Sequence, residues 1–158
     1  KYQFESSLIT ISLLDVQQQI MEVTPDKYWV ILFRRMMMRI SEYFALKENA
    51  KVLITGENIG QVASQTLSNI SVISNCISMP IIRPLAGYNK EEIINYARKI
   101  CTYDISIKPY DDCCSFFVPK HPKIMSKINE IEKLESKYDV AKLTQAAINS
   151  SNIEIIGE

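Results

Sequence analysis

No surplus of either charge marks this chain: 18 basic residues are matched by 18 acidic ones. A free-standing nucleic-acid binder advertises itself by a basic excess, so any RNA contact must come from a local patch or from a part outside the chain. Long apolar runs are missing, as is a basic-then-apolar leader, which excludes a membrane span and leaves a soluble, cytoplasmic protein as the expectation. Four cysteines among 158 residues, none in a Cys-x-x-Cys pair, are too few for a disulfide scaffold. His121 is the single histidine and has no ligand cluster beside it, so zinc lacks a donor set and an exposed loop position is expected. Glycine is scarce, at four residues, which leaves little backbone able to wrap a phosphate. Internal repeats and low-complexity linkers are absent too. What is present, 47% hydrophobic and 23% charged residues, is the balance of one globular domain with a real core.

Residues 7–13 alternate polar and apolar side chains for part of their length and predict a strand, followed by a short helix over 15–23. Thr24 and Pro25 read as the cap and first-turn proline of a long helix over 26–49. Its apolar positions, among them Trp29, Leu32, Met36, Ile40, Phe44 and Leu46, wrap widely, which predicts a largely buried helix. A second strand is expected over 51–55, a helix over 60–75 and a short third strand over 80–85. Asn89 caps the next helix, which runs to 100, with Glu92 three residues on as its capping-box partner. Helices follow over 122–136 and 140–149, and a final edge strand over 153–156. Strands alternating with helices predict an α/β layer sandwich with a mainly parallel sheet.

Chemistry concentrates in three places. The apolar run Val52-Leu53-Ile54 leads into Thr55-Gly56-Glu57-Asn58-Ile59-Gly60-Gln61-Val62-Ala63-Ser64-Gln65-Thr66-Leu67, the order strand, glycine turn, helix. Beyond a strand's carboxyl end is where ligands sit in an open parallel sheet, and Gly56 lets a ligand approach the backbone. The side chains of Asn58, Gln61, Ser64, Gln65 and Thr66 hold more hydrogen-bonding capacity than a core helix needs; a polar helix start behind a glycine turn is the plainer reading. In Arg34-Arg35-Met36-Met37-Met38-Arg39, Arg35 and Arg39 lie one turn apart on a shared face while Arg34 points elsewhere. Planar guanidinium forks suit phosphate; equally, such arginines snorkel to solvent from a methionine-filled surface. Cys76 and Cys101 read as buried, inert thiols. Cys113 and Cys114 sit between Pro109 and Pro119, on a loop where reactive groups are displayed, although Asp111 and Asp112 beside them disfavour a standing thiolate.

These strings occur in one order: Arg34-Arg35-Met36-Met37-Met38-Arg39-Ile40, the segment 55–67, Ile82-Arg83-Pro84-Leu85, and Thr102-Tyr103-Asp104-Ile105-Ser106 leading to Pro109-Tyr110-Asp111-Asp112-Cys113-Cys114. Together, across residues 7–122, they closely resemble the tRNA 4-thiouridine synthetases, the ThiI-type tRNA sulfurtransferases. The resemblance implies a Rossmann-like three-layer sandwich of the adenine-nucleotide α-hydrolase-like kind. It implies adenylation of a tRNA uridine with ATP, accompanied by Mg2+, and replacement of the oxygen by sulfur passed as a persulfide from a cysteine desulfurase. It also implies a link to sulfur supply for the thiazole of thiamine. On it, Arg34, Gly56 and Gln65 fall on ATP-contacting positions, and Cys113 on a cysteine of sulfur transfer with Cys114 a possible stand-in. Cys101 stands where the family usually has glycine.

The family's PP-loop signature is not found within residues 1–158, and the expectation is that it lies upstream of Lys1. The same holds for the ferredoxin-like and THUMP parts that hold tRNA, while the rhodanese part of some members is likewise not found. Residues 1–158 thus read as the C-terminal portion of a PP-loop sulfurtransferase domain, with an incomplete sheet, inactive alone and prone to self-association. The competing expectation is a truncated, non-catalytic nucleotide- or partner-binding α/β module. An amidotransferase-linked ligase of the PP-loop group is a third, against which the paired cysteines speak.

Overall fold

The computed structural model describes residues 4–109 and 119–157. Helix α2 (Trp29–Lys47) is its spine. The segment lacks glycine and proline and is rich in methionine and arginine, both good helix formers. Its buried side chains, among them Ile31, Leu32, Phe33, Met36 and Ile40, lie on several faces, so the helix is enclosed, as its sequence predicts. Helices α1 (Leu14–Val23), α3 (Leu67–Ser74) and α7 (Val140–Asn149) pack against it, and Ile20, Ile73 and Ala147 complete the same core. Full burial of each large aliphatic side chain is worth about 2 kcal/mol. Met36 and Met38 are core filler, whereas Leu46, expected inside, is exposed.

Strand β1 (Ser6–Thr10) pairs antiparallel with β4 (Asn152–Ile156), in register from Ser6 opposite Ile156 to Thr10 opposite Asn152. Strand β2 (Leu53–Ile54) pairs parallel with β3 (Ile81–Ile82). Among the described residues the strands therefore form two separate ribbons, one of them parallel. An apolar cleft of about 310 Å³ lies between β1 and β2, lined by Ile9, Ile11, Phe44, Ala45 and Leu53. Among the described residues the remaining helices are α4 (Lys90–Lys99), α5 (Tyr103–Ser106) and α6 (Ile128–Glu135). No helix among the described residues is long and apolar enough to cross a membrane.

Several boundaries differ from expectation for identifiable reasons. Thr24 ends α1 rather than opening α2: its hydroxyl donates to Ile20 O at 2.6 Å, and a 3₁₀ turn at Asp26–Tyr28 intervenes before α2. Thr66, not the Gly60 turn, caps α3, its hydroxyl accepting from Asn69 N at 3.2 Å, with a 3₁₀ turn at Ala63–Gln65 before it. Helix α6 starts at Ile128 because the backbone of residues 123–126 is bonded to side chains of α3 and its cap instead. The capping box of Asn89 and Glu92 forms as predicted.

Cys101 is exposed, not a buried thiol. It ends α4 in the left-handed region, with φ 58°, while Thr102 N–H donates to Ala97 O at 2.9 Å and Cys101 N–H to Arg98 O at 3.0 Å. Asn49 ends α2 in the same way at φ 57°. This closure favours glycine, whose missing Cβ removes the steric cost of positive φ. Cys101→Gly is therefore expected to raise stability by about 1 kcal/mol, and Asn49→Gly by less because asparagine tolerates this region. Urea denaturation of both variants checks the order.

Candidate functional site

The string of arginines on α2 splits between two buried carboxylates. Arg35 and Arg39 share a helix face and converge on Glu135 of α6. Arg35 Nε and Nη2 lie 2.9 and 2.8 Å from Glu135 Oε1 and Oε2, and Arg39 Nη1 and Nη2 lie 2.6 and 2.9 Å from the same two oxygens. Arg35 also donates through Nη1 to Val72 O. The expectation that these arginines snorkel to water is wrong for Arg35, which is only 2% exposed. Glu135 is held below the ordinary carboxylate range: burial pushes it up, but the hydrogen bonds and charges of Arg39 and Arg35 outweigh that. Burial pushes the half-buried Cys76 thiol up, against the pull of Arg39 and Arg35, and its Sγ sits 3.1 Å from Ile73 O, in keeping with an inert thiol.

Stability follows from the sign of that shift. A carboxyl whose folded pKa lies below its unfolded value of 4.5 contributes stability that is present above that value and lost as pH falls through the folded one. Glu135→Gln removes the charge and leaves two arginines unpaired in a poorly solvated place, an expected loss of about 3 kcal/mol. Thermal unfolding from pH 7 to about pH 2 should show a steeper acid loss in wild type than in this variant.

Arg34 takes the other direction. Its Nη2 lies 2.6 Å from Glu57 Oε1 and its Nη1 3.2 Å from Ser64 Oγ. Glu57, immediately after Gly56, is 2% exposed, and its Oε2 accepts from Arg83 Nε at 2.6 Å and Thr55 Oγ1 at 3.0 Å. Arg83, just beyond β3, also donates from Nη2 to Ser74 Oγ at 2.8 Å. Two guanidiniums against one carboxylate leave this cluster with a formal charge of +1. It sits where β2 and β3 end, the position at which parallel strands in α/β proteins open onto ligands.

The same end of the sheet holds the other two candidate nucleotide residues. A Cβ built on Gly56 would meet nothing within 4 Å, so the chain itself does not need glycine there; open space lies above it. Gln65 closes the turn that begins at Gly60, its carbonyl accepting from Gly60 N at 2.9 Å. Gly60, at φ 82°, supplies the left-handed step of that turn. Gln65 Oε1 is buried with no hydrogen-bond partner among the described residues. Beside the turn runs a groove of about 640 Å³, lined by Asn58, Gln61, Tyr88 and Lys90 among others. Cys113 and Cys114 lie outside the described residues. His121 is exposed, as expected.

Some of the polar surplus over 55–67 is structural. Asn58 Nδ2 donates to Leu85 O at 2.9 Å and to Tyr88 O, tying the loop after β2 to the loop after β3. Residues missed at the level of sequence are Glu57, Arg83 and Asn69. Asn69 is fully buried; its Nδ2 donates to Ala63 O at 2.7 Å and Lys123 O at 2.8 Å, and its Oδ1 accepts from Ser126 N at 3.0 Å. Acidic Glu57, placed between two separate arginine motifs, was the available signal for the first pair; nothing local marks Asn69.

A family model described as "Thiamine biosynthesis protein (ThiI)" matches residues 1–140. The chain belongs to the ThiI family. A protein of Moorella thermoacetica described as "Probable tRNA sulfurtransferase" is 42% identical over 149 residues, 94% of this chain and 38% of that protein. One from Thermoanaerobacter pseudethanolicus with the same description is 47% identical over 135 residues, 85% of this chain and 36% of that protein. The chain thus spans little more than a third of these ThiI relatives. A crystal structure of a 4-thiouridine synthetase–RNA complex with bound ATP superposes with a TM-score of 0.89 at 45% identity, over 95% of this chain and 39% of that one. This chain has the α/β fold of that ThiI relative.

Proposed function

We propose that the chain is the C-terminal portion of the catalytic domain of a tRNA sulfurtransferase that makes 4-thiouridine, also serving sulfur supply for thiamine. The observation that carries this reading is Gln65 Oε1, a buried acceptor without a donor among the described residues, one residue from Ser64 that braces Arg34. A buried carbonyl of this kind calls for a ligand N–H, and the exocyclic amine of adenine supplies one. Arg34 contributes a guanidinium for phosphate, and the open space over Gly56 admits the ligand to the backbone. The ATP and RNA in the related 4-thiouridine synthetase support the same assignment.

The chemistry follows from the substrate. The uridine oxygen attacks the α-phosphorus of ATP and pyrophosphate leaves. The ring carbon then bears a good leaving group, sulfur attacks it, and AMP departs with the oxygen. Cys113 is the proposed thiol of this transfer, with Cys114 a possible stand-in. A cysteine desulfurase supplies the sulfur as a persulfide whose terminal sulfur displaces AMP. The Cys113 thiolate then attacks the inner, carrier sulfur of the resulting C–S–S linkage, and 4-thiouridine leaves as a disulfide forms that an external thiol must reduce. Mg2+ is expected to travel with the triphosphate. The carboxylate in the crevice, Glu57, is committed to two guanidiniums, so the described residues assign the ion no protein ligand and no step is built on it.

The finer architecture belongs to the same proposal. The two ribbons are parts of one Rossmann-like, mainly parallel sheet, and further strands of the intact protein fill the cleft between Ile9 and Leu53. tRNA is held mainly by domains beyond this chain, in the cytoplasm. Left alone, the chain self-associates through that cleft and the exposed Ile153, Ile155 and Ile156 of β4. A clean monomer by light scattering at micromolar concentration would count against this.

In the intact protein, Cys113→Ala is expected to lower 4-thiouridine in tRNA by about a hundredfold or more. Gln65→Leu, which fills the space but offers no acceptor, should weaken ATP binding about tenfold. Mass spectrometry of digested tRNA and equilibrium ATP binding read the two effects. A normal 4-thiouridine yield from Cys113→Ala removes that residue from its role.

A further inference from the structure

We propose that Glu57 is a positioning residue for the nucleotide, acting through Arg34; the role rests on the ATP site proposed above. A carboxylate is an unexpected occupant of a phosphate site. By Coulomb attraction alone it halves the positive charge of Arg34 and Arg83 and repels an incoming anion. It is also only 2% exposed, a costly place for a charge without close partners. What it supplies is geometry. Glu57 Oε1 takes Arg34 Nη2 at 2.6 Å, while Ser64 Oγ takes Nη1 at 3.2 Å. Two braces from opposite arms fix the plane of the guanidinium. Among the described residues the other Arg34 N–H groups have no hydrogen-bond partner and remain for a ligand, as a planar fork requires for bidentate contact with phosphate.

The second oxygen keeps the carboxylate itself from rotating. Glu57 Oε2 is held by Arg83 Nε at 2.6 Å and Thr55 Oγ1 at 3.0 Å, and Arg83 is in turn held by Ser74 Oγ at 2.8 Å. Arg34 is thus oriented by a chain of groups drawn from the ends of β2, β3 and α3, before any ligand arrives. Preorganisation of this kind spares the ligand the cost of ordering a long side chain.

The two possible effects of Glu57 have opposite signs, which makes the test decisive. ATP binding to the intact protein is measured for wild type and Glu57→Gln, with thermal stability recorded for each. Glutamine keeps the shape but loses the charge that aligns two guanidiniums, so binding is expected to weaken about tenfold in the folded fraction. If Glu57 only dilutes positive charge, its neutralisation tightens ATP binding, most of all at low salt; tighter or unchanged binding overturns the proposal. Ser64→Ala changes no charge and removes the other brace, with an expected loss of about threefold. Should Glu57→Gln fail to fold, unchanged affinity in Ser64→Ala overturns the role by itself. Wild-type protein that binds no ATP sinks the nucleotide site, an outcome distinct from either variant result.

Discussion

A guanidinium leaves water only when a carboxylate meets it, and α2 carries three of them into or beside the core. Arg35 is fully enclosed, and Arg34 and Arg39 are mostly so. Each is met by a carboxylate from far along the chain: Glu135 for Arg35 and Arg39, Glu57 for Arg34. The cost of leaving such a group unpaired, about 3–5 kcal/mol, is a large part of what keeps any domain of this size folded. Correct docking of α6 and of the turn after β2 is therefore enforced electrostatically as well as by packing. Apolar contacts alone would tolerate a slip of either element; the ion pairs do not.

One short string meets two fates because of helix phase. Successive residues turn by about 100°, so Arg35 and Arg39 stay within a narrow sector while Arg34 faces away. Around Glu135 each arginine grips the carboxylate by two nitrogens, and Arg35 spends Nη1 on Val72 O as well, which fits a structural anchor. Around Glu57 each arginine engages by one nitrogen only, Nη2 of Arg34 and Nε of Arg83. The difference between a carboxylate gripped by two bidentate arginines and one held by single nitrogens separates the anchor from the candidate site.

The sequence was legible where the physics is local. Helix α4 was readable to its cap because Asn89 and Glu92 satisfy each other within one turn, and α2 was readable because no glycine or proline interrupts it. The strand–turn–helix order around Gly56 and the phase of the arginines were equally plain. Boundaries failed where a distant partner outbid the local preference. Residues 122–127 have helical neighbours but bond to α3; Thr24 closes the helix before it instead of opening the one after. Glu57 went unnoticed because its meaning depends on Arg83, 26 residues away. Cys101 could be flagged by resemblance alone, and its φ supplies the physical reason that glycine suits the place.

The turn from Gly60 to Gln65 also explains why α3 starts late. Had the helix run back through this segment, its amides and carbonyls would be consumed by the helix ladder and Gln65 would project from a regular surface. Instead the turn is secured from outside: Asn69 grips Ala63 O with one arm of its amide and the 123–126 backbone with its other bonds, while Thr66 Oγ1 donates to Ile124 O at 2.7 Å. Fully buried and fully bonded, Asn69 gives irregular backbone the rigidity that a sheet or helix would otherwise supply. That is what a binding turn needs. It is fixed enough to hold Ser64 against Arg34, and irregular enough to leave the side-chain Oε1 of Gln65 without a donor among the described residues.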